Sequence, residues 1–182
     1  EACSNHDPLR RPYFGDLHVH SSYSFDSYIS SQRNDPWDAY RFAKGEPLTL
    51  PDADGAQTVV AQLRRPLDFM ALTDHAELLG EMNICTSDGF SLARYSPLCL
   101  MTRSDIIYLQ FLAADWWKSA GVDRDASGER TYLCDLPGSD CPASLLEFWG
   151  KLRQAAEEHY DRSAACGFTT FVAYEYSDAP QF

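Results

Sequence analysis

Three stretches of the chain are almost continuously apolar or aromatic and then break abruptly into polar chemistry. Tyr13-Phe-Gly-Asp-Leu-His-Val-His20 runs on into Ser-Ser-Tyr-Ser-Phe-Asp26, Pro66-Leu-Asp-Phe-Met-Ala-Leu-Thr-Asp-His75 ends in the same manner, and Gly167-Phe-Thr-Thr-Phe-Val-Ala-Tyr-Glu175-Tyr176 closes on a carboxylate. Short apolar runs of this kind predict buried strands of a parallel sheet. Between them, Asp35-Pro36-Trp37 opens a predicted helix through Ala43, with proline in its first turn. Residues 46–55 predict a loop and residues 58–64 a short helical approach with Val59, Val60 and Leu63 on its apolar side. A first long helix is predicted over 104–120, capped by Ser104, with Ile107, Leu109, Phe111, Leu112 and Trp116 as its apolar face. A second is predicted over 142–162, where Leu145, Trp149, Leu152, Ala156 and Tyr160 recur at steps of three and four residues.

The expected organisation is a single domain over 1–182, with residues 1–12 as an irregular arm and 83–103 and 121–141 as loop insertions. Strands alternating with helices predict an α/β fold built on a parallel sheet or barrel, in which sites collect at the carboxyl ends of the strands. At 182 residues a chain buries about 70% of its unfolded surface, so a core is available without reliance on disulfides. No apolar run approaches the roughly 20 residues of a membrane span.

Charge narrows the partners. The chain carries 27 acidic against 15 basic residues, a formal net charge of -12, which disfavours nucleic acid. A small anion at a metal centre is compatible with that balance, because a bound cation dominates its local field. The six cysteines, at positions 3, 85, 99, 134, 141 and 166, include no Cys-x-x-Cys pair. Their even number favours disulfides in an oxidising compartment, periplasmic or secreted, against the rival of reduced buried thiols. Cys134 with Cys141 is a local pairing, and Cys85 with Cys99 a second candidate. The chain begins at Glu1, so either a leader has been removed or it starts inside a longer protein.

The chemistry sits at the strand ends. His18 and His20 share one face of an extended strand, their roots roughly 6.5 Å apart, close enough to converge on one metal ion. Asp26 adds a hard oxygen donor six residues later. His75 and Glu175 end the other two strands. A carboxylate there is costly unless coordinated or paired, so Glu175 is either a ligand or a salt-bridged structural residue. Asp74 is either an N-cap for the next turn or a proton shuttle, ranked ahead of Glu77 and Glu81 because it adjoins a ligand. His6 reads as solvated and His159 as packing or surface, not metal binding. Nitrogen and carboxylate donors together suit Zn²⁺, Mn²⁺ or Fe.

At these residues the chain resembles the polymerase and histidinol phosphatase (PHP) family. Asp16-Leu-His-Val-His20 is similar to its first motif, Leu72-Thr-Asp-His75 to its second, and Ala173-Tyr-Glu175 to the strand bearing its metal-bridging glutamate. The longer wording resembles an exported bacterial branch of PHP-like proteins known only as a domain of unknown function. The resemblance implies a distorted seven-stranded (β/α) barrel, of which this chain would be the amino-terminal part. It also implies two or three divalent transition metal ions: His18 and His20 on one, Glu175 between two, and Asp26 with His75 on a third. Asp26 departs from the PHP pattern, where a histidine often stands. The family's later ligands have no counterpart here, so a carboxyl-terminal remainder of the same protein would complete the site.

The expected function is hydrolysis of phosphate mono- or diesters, or a related small anionic ester, by a metal-activated hydroxide. The alternatives are a non-catalytic domain in which ions act as staples, and a metal-dependent amidohydrolase.

Overall fold

In a computed structural model, the protein is described over residues 3–4, 6–51, 56–89, 91–122 and 131–177. Strands β1 (Gly15–Val19), β4 (Phe69–Leu72) and β5 (Thr169–Val172) form a three-stranded parallel sheet in the order β1-β4-β5. The three predicted core strands are therefore neighbours, although up to 150 residues separate them (19 to 169). Helix α1 (Phe25–Ile29) and helix α2 (Pro36–Ala43) follow β1. The Asp35 side chain accepts from Asp38 N–H and the Asp38 side chain from Asp35 N–H, a reciprocal cap that starts α2 where the sequence predicts it. The class is mixed α/β with a parallel sheet. The described residues form no closed barrel, since three parallel strands cannot close on themselves.

Residues 46–64 depart from expectation. Strands β2 (Leu48–Pro51) and β3 (Gln57–Ala61) form an antiparallel hairpin where a loop and a helical turn were predicted. Thr58, Val59 and Val60 are consecutive β-branched residues, and their stiff side chains favour the pleated ribbon over a helix. Residues 52–55, within the predicted loop, lie outside the described residues.

The two predicted insertions also differ. Within 83–103 run the end of α3 (Leu79–Thr86) and all of α4 (Pro97–Thr102), and Ile84, Cys85, Ala93, Leu98 and Cys99 are core residues. The span is a packed helical layer pinned by the Cys85–Cys99 disulfide, not a surface loop. Within 121–141, residues 123–130 lie outside the described residues, and 132–135 form a single 3-10 turn with Leu133 fully buried. Disulfides Cys134–Cys141 and Cys3–Cys166 complete the set, the latter tying the amino-terminal arm to the approach to β5. No helix among the described residues is long and apolar enough to cross a membrane.

Helix α5 (Ile107–Val122) buries a different face from the one predicted: Gln110, Ala113 and Trp117 point inward, while Ile107 and Phe111 are 63% and 65% exposed. A helix apolar on nearly every side carries no periodic signal to choose between faces. The inward face is selected by packing, with the Trp117 indole N–H donating to Thr102 Oγ1 at 2.9 Å. Helix α6 (Cys141–His159) follows its predicted stripe more closely, burying Phe148, Leu152, Ala155 and Ala156. His159 stacks on Tyr40 with ring centroids 5.5 Å apart, a packing role as predicted.

Helices α3 and α6 lie in close contact beneath the strand ends. A Cβ built on Gly80 would collide with the Cys141 carbonyl oxygen and stand 3.2 Å from Leu145 Cβ. Gly80→Ala is therefore expected to destabilise the fold by about 1–3 kcal/mol, seen as a lower urea midpoint with unchanged slope.

Candidate metal centre

Register brings the candidate ligands abreast. Leu72 of β4 pairs with Val172 of β5, and three residues further along each strand His75 and Glu175 meet in an isolated parallel bridge. Ala76 N–H donates to the Glu175 carbonyl at 2.9 Å and Glu175 N–H to the Asp74 carbonyl at 3.2 Å. On the other side of β4, Val19 pairs with Leu72, and Thr73 N–H donates to the Val19 carbonyl at 2.7 Å. A register shift in β1 between Asp16 and Val19 adjusts the strand just before His20.

All five predicted ligands fall in one cluster. His18 Nε2 lies 2.7 Å and His20 Nε2 2.9 Å from the same oxygen, Glu175 Oε2. The other nitrogen of His20, Nδ1, is 2.9 Å from Asp26 Oδ2, and His75 Nε2 is 3.8 Å from that oxygen. Two donor triads result, His18–His20–Glu175 and His20–Asp26–His75, each with ligand atoms within 4.8 Å of one another. His18 is largely exposed whereas His20 and His75 are mostly covered, so the cluster opens to solvent on one side.

The loop that carries these groups is held from beneath. Asp74 is fully buried, and its two carboxylate oxygens accept from Ser21 N–H at 2.5 Å and Ser21 Oγ–H at 2.7 Å. Ser24 Oγ donates to Asp26 Oδ1 at 2.6 Å and accepts from His75 N–H at 3.2 Å. Asp74, the predicted proton shuttle, thus stands as a brace between β4 and the segment after β1. Glu81 faces the Cys134 sulfur at 3.6 Å instead of the histidines, and that sulfur is committed to a disulfide.

A protein-family model matches residues 7–182. The chain belongs to DUF3604, a family described as protein of unknown function. No curated protein and no solved structure matches it. Nothing in the family match indicates the PHP family, and the resemblance drawn from the sequence is corrected accordingly. That resemblance rested on three short motifs at strand ends and the wording around the first two, and the family model that matches the chain carries no PHP assignment.

The DUF3604 site is rich in carboxylates. Asp26, Asp74, Glu77 and Glu175 surround the three histidines, and among the described residues no Lys or Arg pairs with any of the four. Burial opposes a charged His20, but the Asp26 hydrogen bond and charge, aided by Asp74 and Glu175, outweigh it and raise its pKa. His75 is raised in the same way, chiefly by Glu77 acting against burial. Burial would raise the Asp26 carboxyl, yet the His20 and Ser24 hydrogen bonds hold it well below the usual range. Burial of Asp74 raises its pKa to about 6, against the lowering effect of the Ser21 hydrogen bonds.

The donors also fit an ion geometrically. Two ligands about 2.0–2.1 Å from one ion stand about 2.9–3.4 Å apart at octahedral or tetrahedral angles, close to the 2.7 and 2.9 Å separations at Glu175 Oε2. His75 Nδ1 lies 2.9 Å from Glu77 Oε1, leaving Nε2 toward the centre, an outer-shell pairing that orients metal-binding histidines. Glu77 Oε2 is buried with no hydrogen-bond partner among the described residues, so part of that charge awaits a neighbour. Ser21, Ser24 and the orienting role of Glu77 were not singled out from the sequence. Glu77 stands two residues beyond His75, and that adjacency was the available signal.

Two outcomes are expected. Glu77→Gln should weaken divalent-ion binding by about 10–100-fold while leaving the fold intact, measured by competition with a chromogenic chelator. Because the His20 and His75 pKa values are raised, protons compete with the metal at and above the ordinary histidine range. Affinity for Zn²⁺ should therefore fall from about pH 8 to about pH 6, with proton release on binding, measured by calorimetry in buffers of different ionisation enthalpy.

Proposed function

We propose that this DUF3604 chain holds divalent transition metal ions and hydrolyses phosphate mono- or diesters or a related anionic ester. The observation that carries the reading is Glu175 Oε2, approached by Nε2 of both His18 and His20, with the His75–Asp26 pair alongside and, among the described residues, no Lys or Arg paired with these carboxylates. His18, His20 and Glu175 would hold one ion, and Asp26, His75 and the far side of Glu175 a second or third. Zn, Mn or Fe suits the donor set. Such ions, when bound, supply a water of lowered pKa and a counter-charge for an ester oxyanion.

The chain's own residues do the orienting. Asp26 and Glu77 accept Nδ1–H of His20 and His75, which turns each Nε2 toward the centre. Asp74 fixes Ser21 and thereby the position of His20. It has no exposed surface with which to touch a substrate, so its proposed part is positioning. The open side at His18, whose side chain is 69% exposed, supports hydrolysis over a structural staple, because structural sites are closed by their ligands. Under this reading Glu175 would bridge the ions, where the amidohydrolase alternative would use a carboxylated lysine; the approach of both histidines to Glu175 supports the phosphoester reading. Additional ligands would come from a segment of the same protein outside this chain, packed on the open sheet face, since parallel sheets are covered on both sides. The three disulfides support a periplasmic or secreted setting.

His18→Ala is the direct test. With its side chain mostly in solvent, the substitution should leave the thermal midpoint unchanged and lower turnover of an aryl phosphate by more than about a hundredfold. Chelation of the wild type should abolish turnover and added Zn²⁺ or Mn²⁺ restore it. Undiminished hydrolysis by metal-free protein would rule the reading out.

A further inference from the structure

Beside the donor cluster, on the helix side of β1, lies a cavity of about 310 Å³ enclosed by β1, α2 and the β2–β3 hairpin. Most of its lining is apolar, including Ala43, Leu63 and Leu67, where Leu67 N–H donates to the Ala43 carbonyl at 2.8 Å. The polar residues His20, Ser21 and Asn34 are contiguous, since Ser22 N–H donates to the Asn34 carbonyl at 2.9 Å and Asn34 Nδ2 to Gln32 Oε1 at 2.5 Å, and Asp16, which pairs with Met70 across β1 and β4, adds a carboxylate further along β1. Leu48 and Leu50 of the hairpin form the roof and Met70 of β4 part of the wall.

We propose that this cavity binds the apolar portion of the substrate, so that the ester cleaved is that of an aryl or similarly hydrophobic alcohol. The inference rests on the hydrolase reading above and names its substrate class. Three features carry it. His20 belongs both to the donor cluster and to the cavity lining, so the cavity adjoins the ligands. The volume lies within the range of small-molecule sites, which are mainly apolar with a few polar groups. An apolar cavity of about 150 Å³ is enough for benzene, which leaves room here for a two-ring group. The roof gives the hairpin a part: among the described residues β2 and β3 pair only with each other, and Leu48 and Leu50 of β2 complete the cavity instead of extending the parallel sheet.

The test titrates the intact protein with 1-naphthol by ligand-observed NMR, comparing wild type, His18→Ala, Leu50→Trp and Ala39→Phe, the last two filling the cavity from different walls. Naphthol should bind wild type and His18→Ala alike and bind both filled variants about tenfold or more weakly. In the same filled variants kcat/KM for 1-naphthyl phosphate should fall by a similar factor while that for methyl phosphate stays unchanged. Should one filled variant fail to fold, the other carries the comparison. The proposal is overturned if wild type does not bind naphthol, if the filled variants bind it undiminished, or if both esters lose activity equally. A wild type that binds naphthol yet hydrolyses neither ester would overturn the hydrolase reading separately, leaving the cavity as a site for apolar rings.

Discussion

The pairing of β4 with β5 carries the rest of the structure. Two strands separated by most of the chain lie parallel and in register, and the register continues past their last regular residues to place His75 against Glu175. A slip of one residue would turn every side chain of β5 to the opposite face. Glu175 would then leave the imidazoles and Thr170 would lose its hydrogen bond to the Ala156 carbonyl of α6. The core residues Met70 and Leu72 of β4 and Phe168 before β5 hold this register, through apolar burial that no polar group at the site supplies.

On that frame the polar network is consistent at each step. Among the described residues Asp74 is buried without a Lys or Arg partner, a cost offset by two hydrogen bonds from Ser21, and those bonds set where the chain turns after β1. The turn places His20 between Glu175 and Asp26, and Ser24 links Asp26 to the main chain of His75. Phe25 packs against the His75 ring at 4.7 Å, so the apolar core reaches the edge of the donor cluster. The site is a set of carboxylates and imidazoles held by packing from below and open above.

The disulfides lie away from these donors and serve the frame. Cys85–Cys99 joins α3 to α4, Cys134–Cys141 secures the start of α6, and Cys3–Cys166 closes a sequence separation of 163 residues. Cross-links over long loops remove most entropy from the unfolded chain, which suits a fold whose central sheet depends on contacts far apart in sequence.

Apolar runs ending in polar residues were enough, from the sequence, to locate the three core strands, helix α2 with its cap, the long helix α6, two of the disulfide pairings, and the five residues that converge at the strand ends. Each is a local signal: side-chain period, a proline with a capping aspartate, or histidines two apart. What only the tertiary structure decided is nonlocal. The inward face of α5 was chosen by its neighbours because the helix is apolar all round, and the hairpin at 48–61 formed because β-branched residues found a cross-strand partner. The core role of 83–103 and the use of Asp74 as a brace likewise depend on what packs above and below them. Periodicity along a chain records which side of an element is apolar, but not what lies opposite that side. The partner across the interface, which sets whether a carboxylate is a ligand, a shuttle or a strut, exists only once distant segments have met.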